Sequence, residues 1–147
     1  MNAFILADRH VYLDANVLIA AVERGHHGAL GLLDAIQRHE CVATTSELTL
    51  AEVLTGPVAQ REAAHVAAYE ALLAPYGQIL VVPITRDILR RAAKLCGLDL
   101  PDAIHVATAV LQHCDVMASD DQRLRLPATL ERVGLAELGR TGEVARS

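Results

Sequence analysis

Short apolar runs alternate with longer segments of helical period along most of the chain. HVYLD at 10–14 ends the first such run and predicts a strand, and NVLIAAV at 16–22 starts a helix. Residues 29–38 form a second amphipathic helix with Leu32, Leu33 and Ile36 on one face. CVATT at 41–45 predicts the next strand. Ser46 stands as N-cap to a helix running to about Leu54, which Gly56-Pro57 should end. An Ala-rich helix over 59–73 breaks at 75–77, and ILVV at 79–82 is a third strand. Thr85 caps a helix over 86–96 that Gly97 stops. Pro101 suits the first turn of a helix reaching about His113. Residues 115–118 predict a fourth strand, and a short last one falls near 132–135.

Strands this short and apolar, separated by helices, indicate a parallel sheet covered on both faces. Right-handed crossovers distribute the helices over two layers. The expected fold is therefore α/β, a three-layer α/β/α sandwich around a short central parallel sheet. No repeat, low-complexity stretch or linker divides the sequence, so residues 1–147 are read as a single domain.

That topology makes a specific statement about four acids. In an open parallel sheet, ligands bind beyond the carboxyl ends of the strands. Asp14 ends the first strand and Asp121 follows the fourth. Glu52 sits about two turns into the helix that leaves the second strand. Asp102 sits in the first turn of the helix that runs down to feed the fourth. Four residues spread over more than a hundred positions are thus expected near one edge. Carboxylates so close repel and raise each other's pKa values unless a cation sits among them. Hard divalent ions prefer oxygen ligands, so the implied ion is Mg²⁺, with Mn²⁺ as the alternative. Such a site activates water and stabilises a leaving oxygen, which suits phosphodiester hydrolysis.

Composition narrows the picture. The chain has 147 residues, 52% hydrophobic and 21% charged, a globular profile. One Phe, three Tyr and no Trp leave few platforms for stacking bases. A net charge of −5 excludes a polybasic coat, so any bound nucleic acid needs a local basic patch or bound cations. The densest basic run is Arg86, Arg90 and Arg91 with Lys94, and it is either a phosphate contact or a solvated helix face. Cys41, Cys96 and Cys114 lack metal-ligand spacing and are read as buried, reduced thiols of a cytoplasmic protein. The first ten residues do not read as a signal peptide, and no apolar run approaches the roughly 18 residues of a membrane span.

Other polar residues have ordinary structural readings. Thr85 and Asp87 look like helix-start chemistry, Asp99 like a pre-helix residue, Glu47 like a first-turn acid. Asp34 belongs to a solvated face, His26 and His27 to a loop, and His105 to the packed side of its helix. Asp120 competes with Asp121, because either can reach a metal beyond the fourth strand.

Four segments carry a family pattern: VYLDANVLI at 11–19, TTSELTLAEVLTGP at 44–57, ITRDILRRAAKLCGLDLPDAIHVATAV at 84–110 and MASDDQRL at 117–124. In this order they resemble the PIN-domain ribonucleases, and within them the VapC-type toxins of toxin–antitoxin pairs. The resemblance implies that Asp14, Glu52, Asp102 and Asp121 bind metal, with Asn16 and Ser119 as supporting polar residues. The spacing from Ser119 favours Asp121 over Asp120. It further implies an RNA substrate, products with 3′-hydroxyl and 5′-phosphate ends, a homodimer and a cognate antitoxin. Cys96 departs from the pattern, since related sequences often carry Arg there. The competing readings are a PIN nuclease of RNA processing without an antitoxin, a metal-dependent phosphatase, and a non-catalytic binding module. A phosphatase would want D-x-D and a phosphate-binding lysine, but position 16 is Asn and Lys94 is the only lysine. The four acids argue against the binding module.

Overall fold

The computed structural model describes residues 5–138; the readings of the extreme amino terminus and of a domain extending to residue 147 reach outside them. The strands are β1 (His10–Leu13), β2 (Val42–Ser46), β3 (Ile79–Val82), β4 (Val116–Ala118) and β5 (Glu131–Val133). The helices are α1 (Ala15–Arg24), α2 (His27–Gln37), α3 (Glu47–Ala59), α4 (Ala63–Leu72), α5 (Arg86–Ala93) and α6 (Leu100–Leu111). All strand pairings are parallel, in the order β3-β2-β1-β4-β5. The expected three-layer α/β/α architecture is what forms.

The period-2 alternation of strand side chains divides the core between two faces. Val11 and Leu13 of β1, with Val116 and Ala118 of β4, pack into a cluster holding Val17 and Leu18 of α1, Leu32 of α2, Val53 of α3 and Tyr69 of α4. Tyr12 and Met117 are paired in register and point the other way, onto Val106 and Ala109 of α6. Ile88 and Ala92 of α5 then close on Ala103, Ile104 and Ala107 of α6. One layer is therefore α1–α4 and the other α5–α6.

Element ends follow local chemistry. Gly25 ends α1 in the left-handed region at φ 61°, a conformation with no penalty for glycine. The Thr85 hydroxyl accepts from the Ile88 N–H at 3.2 Å, the expected cap, a type of contact worth about 1 kcal/mol. His26 caps α2 rather than lying loose, its Nδ1 accepting from the Ala29 N–H at 3.2 Å. Gly56-Pro57 does not end its helix: α3 continues to Ala59 with Pro57 buried inside it. A proline forfeits one helical hydrogen bond, but its fixed φ is helical and burial of the ring offsets part of the loss. The chain breaks instead at Arg61, in the left-handed region at φ 57°. Cys41 and Cys114 are buried free thiols, and burial raises their pKa values to about 11 and about 12. Cys96, expected inside, is exposed, because α5 ends at Ala93 and leaves it in the following loop.

Leu32 is fully buried whereas Leu30, on the same helix, is 45% exposed. Leu32→Ala should cost about 2–5 kcal/mol of unfolding free energy in denaturant titration. Leu30→Ala should stay within about 0.5 kcal/mol.

Candidate active site

The strand order reverses between β1 and β4, which makes their carboxyl ends the switch point of the sheet. Leu13 and Ala118 are register partners there, so Asp14 and Ser119 follow side by side. Asp14 is the N-cap of α1 and only 9% exposed. Its Oδ1 accepts from the Ala15 N–H at 2.7 Å. Its Oδ2 accepts from the Ser119 hydroxyl at 2.6 Å and the Asn16 amide at 3.1 Å. The capping role and the site role fall on one carboxylate.

Asn16 and Ser119 also hold the turn after β4. The Asn16 Oδ1 accepts from the Asp120 N–H at 3.0 Å, and the Ser119 Oγ accepts from the Asp121 N–H at 3.1 Å. This turn separates the two neighbouring acids. The Asp120 carboxylate accepts from the Leu135 N–H at 3.1 Å, at the start of a last helical turn. The Asp121 carboxylate is tied to Arg123 instead, and its charge helps raise the pKa of Asp102. The Arg123 backbone N–H and guanidinium, at 2.9 and 3.2 Å, hold the Asp121 carboxyl below its ordinary pKa.

Asp102 lies in the first turn of α6. Partial burial, then the charges of Asp121 and Asp14, raise its pKa above the ordinary value. Glu52 projects from α3, and its Oε1 meets the His105 Nε2 at 2.6 Å. Asp14, Glu52 and His105 each offer a ligand atom within 4.8 Å of the others. Asp14 and Glu52 thus fall in one tight group with His105, and Asp102 and Asp121 are near enough to act on one another, and Asp102 on Asp14, through charge.

The donor set fits a hard divalent cation. It is dominated by carboxylate oxygen, and burial, followed by the charges of Asp121 and Asp14, raises the Asp102 pKa. Of the four acids, Asp14 and Glu52 lie in the group whose ligand atoms could share one ion.

His105 is packed on its helix, as expected, but it also reaches the acids. It is 2% exposed, and its Nδ1 lies 2.6 Å from the Tyr12 hydroxyl. Sequence reasoning left both residues out of the site. Two signals were available: His105 lies three positions from Asp102 on a helix, and Tyr12 alternates with Val11 and Leu13 on its strand.

A groove of about 880 Å³, lined by none of the four acids, lies between α5, α6 and the segment 125–127. Leu95, Leu98, Val106, Val110 and Leu126 line it, and Arg90, Arg91, Lys94 and Arg125 supply cations. Three of the four residues in the basic run thus share a concave surface, which Arg86 does not line.

The PIN domain family model matches residues 11–129. This chain is a PIN domain. Among solved structures, a chain of VapBC2 from Rickettsia felis, bound to a DNA fragment from its promoter, aligns with a TM-score of 0.67. It is 11% identical, over 85% of this chain and 98% of that one. A toxin–antitoxin complex from Klebsiella pneumoniae aligns with a TM-score of 0.64 and 24% identity, over 82% of this chain and 94% of that one. Mycobacterium tuberculosis VapC20, described as a sarcin–ricin loop cleaving toxin, aligns with a TM-score of 0.62 and 20% identity, over 77% and 92%. At these identities the likeness is one of fold. No curated protein sequence matches the PIN chain significantly.

The Asp102 shift makes a signed prediction. A carboxyl whose pKa is raised by folding costs stability at any pH above the folded value, and the cost vanishes below the ordinary value. In metal-free buffer at neutral pH, Asp102→Asn should therefore raise Tm. The difference should shrink as pH falls into the ordinary carboxylate range. Added Mg²⁺ should raise the Tm of the native protein more than that of the variant, as thermal scans with and without metal will show.

Proposed function

We propose that this PIN domain is a Mg²⁺-dependent endoribonuclease and the toxic member of a type II toxin–antitoxin pair. In this reading residues 1–147 form one nuclease domain that acts in the cytoplasm as a homodimer and is held inactive by its antitoxin. The observation that carries the catalytic part is the convergence of Asp14, Glu52 and His105, each with a ligand atom within 4.8 Å of the others, with Asp102 and Asp121 adding charge nearby. Acids gathered in this way serve a cation-dependent reaction better than they serve the fold. The toxin assignment draws on the motif resemblance and on the toxin–antitoxin proteins that share the fold. Among the described residues, no helix is long and apolar enough to cross a membrane.

Asp14, Asp102 and Asp121 would hold the cation, and Glu52 would bind it or its water. When bound, the cation supplies Lewis-acid chemistry: it lowers the pKa of water and neutralises charge growing on the phosphate. The protein's own contribution is preorganisation. Ser119 and Asn16 fix Asp14 against rotation. Glu52, with one oxygen committed to His105, keeps the other to orient the attacking water. Attack by that water forms a P–O bond and expels the 3′ oxygen, leaving 3′-hydroxyl and 5′-phosphate ends. Arg90, Arg91, Lys94 and Arg125, gathered in the groove, would meet phosphates of the bound RNA.

The test is cleavage of total cellular RNA in Mg²⁺ or EDTA, mapped by end sequencing. Cleavage should require Mg²⁺. Asp14→Asn and Asp102→Asn should each retain below about 1% of activity, the scale on which one preorganised charge-stabilising group acts. Expression should arrest growth, and Asp14→Asn should relieve the arrest. Metal-independent cleavage, or full activity in both variants, overturns the reading.

The groove has its own test. The combined Arg90→Glu and Lys94→Glu variant should bind single-stranded RNA more weakly. Its slope of log affinity against log salt should fall by about 0.7 for each phosphate no longer neutralised.

A further inference from the structure

Glu52 has a long side chain with three rotatable bonds, and about a third of it is exposed. A ligand of that kind must be held from behind to face a cation. What holds it is a chain of buried groups running across the sheet: Tyr12 from β1, His105 from α6, then Glu52 from α3. Both links measure 2.6 Å.

The chemistry of the chain fixes its direction. A carboxylate only accepts hydrogen bonds, so the His105 Nε2 must carry the proton and donate to Glu52. In the neutral imidazole, Nδ1 is then an acceptor, and Tyr12 supplies the O–H. The two rings also meet edge to face, with centroids 5.6 Å apart and planes at 62°. Neither imidazole nitrogen is left over for a metal, while Glu52 keeps its second oxygen.

We propose that His105, backed by Tyr12, is a positioning residue that orients Glu52 toward the divalent cation without ligating the cation itself. This rests on the metal-site reading above. Removing a group that orients a ligand characteristically costs 10–100-fold in metal affinity or activity.

The experiment measures Mn²⁺ binding to metal-free protein by calorimetry, alongside ¹⁵N NMR of the imidazole ring. The native protein should show the Nε2-protonated tautomer. Tyr12→Phe, which keeps the ring and its volume, should weaken Mn²⁺ binding a few-fold and broaden the tautomer signal. His105→Ala should weaken binding about 10–100-fold, and His105→Gln, whose amide N–H can still reach Glu52, should recover part of the loss. In a Glu52→Gln background, His105→Ala should add less than about a twofold loss, because the partner it orients is gone. Losses that multiply in the double variant would make His105 a direct ligand and overturn the proposal. So would native affinity in both Tyr12→Phe and His105→Gln, the two variants that spare the core if His105→Ala fails to fold. Absence of Mn²⁺ binding by the native protein would overturn the metal-site reading and the relay together. Native binding without coupling between positions 52 and 105 would overturn the relay alone.

Discussion

Crowding of negative charge at the switch point is the constraint around which this domain is organised. Two unit charges 4 Å apart at an effective dielectric of 20 repel by about 4 kcal/mol, a large fraction of a domain's net stability. The repulsion is managed differently for each acid. Asp14 is surrounded by donors, from the Ala15 N–H, the Ser119 hydroxyl and the Asn16 amide. Asp121 has Arg123, and Glu52 has His105. Asp102 is the one left to bear the repulsion, with its pKa raised by burial, Asp121 and Asp14. A cation bound as proposed would relieve that residue.

The same edge depends on the sheet beneath it. Asp14 and Ser119 are adjacent only because β1 and β4 are register partners up to Leu13 and Ala118. Slipping one strand by a single residue would turn Val11 and Leu13 away from the α1–α4 layer and bring Tyr12 into it. The apolar core thus enforces the register that sets the polar geometry. Strand β1 serves both ends of this arrangement, since Asp14 extends beyond it while Tyr12 supports His105 from below.

Much of this was legible in the sequence, for a physical reason: strand ends and helix starts are marked by local chemistry. The VYLD run placed Asp14 at a strand end, and Pro101 placed Asp102 in a first turn, where α6 begins one residue earlier. What stayed hidden depended on tertiary context. Pro57 reads as a terminator until its burial is known. Ser46 reads as a capping hydroxyl, yet its Oγ is buried and makes no capping hydrogen bond. His105 looks like a core histidine because it is one; that its Nε2 reaches an acid on α3 depends on how two helices cross the sheet. Asp120 and Asp121 were told apart in the sequence only by the spacing of the family motif; what the turn does with them, tying one to the Leu135 N–H and the other to Arg123, needed the structure.

The groove and the acids are joined by the chain itself, and this bears on what kind of selectivity the domain can have. Gly97 lies where a Cβ would stand 3.2 Å from the Arg125 guanidinium, so the α5–α6 connection and the 125–127 segment approach closely. Three residues after Asp99, that connection delivers Asp102 to the acids. The groove itself carries cations, and its apolar lining is aliphatic, with Leu95, Leu98, Val106, Val110 and Leu126 and no aromatic ring. Aliphatic walls do not stack strongly on bases, and strongly sequence-specific RNA readout relies on stacking and base-edge hydrogen bonds. If the substrate is RNA, as proposed, the choice of cleavage site would follow the path and shape of its backbone more than base identity in this groove.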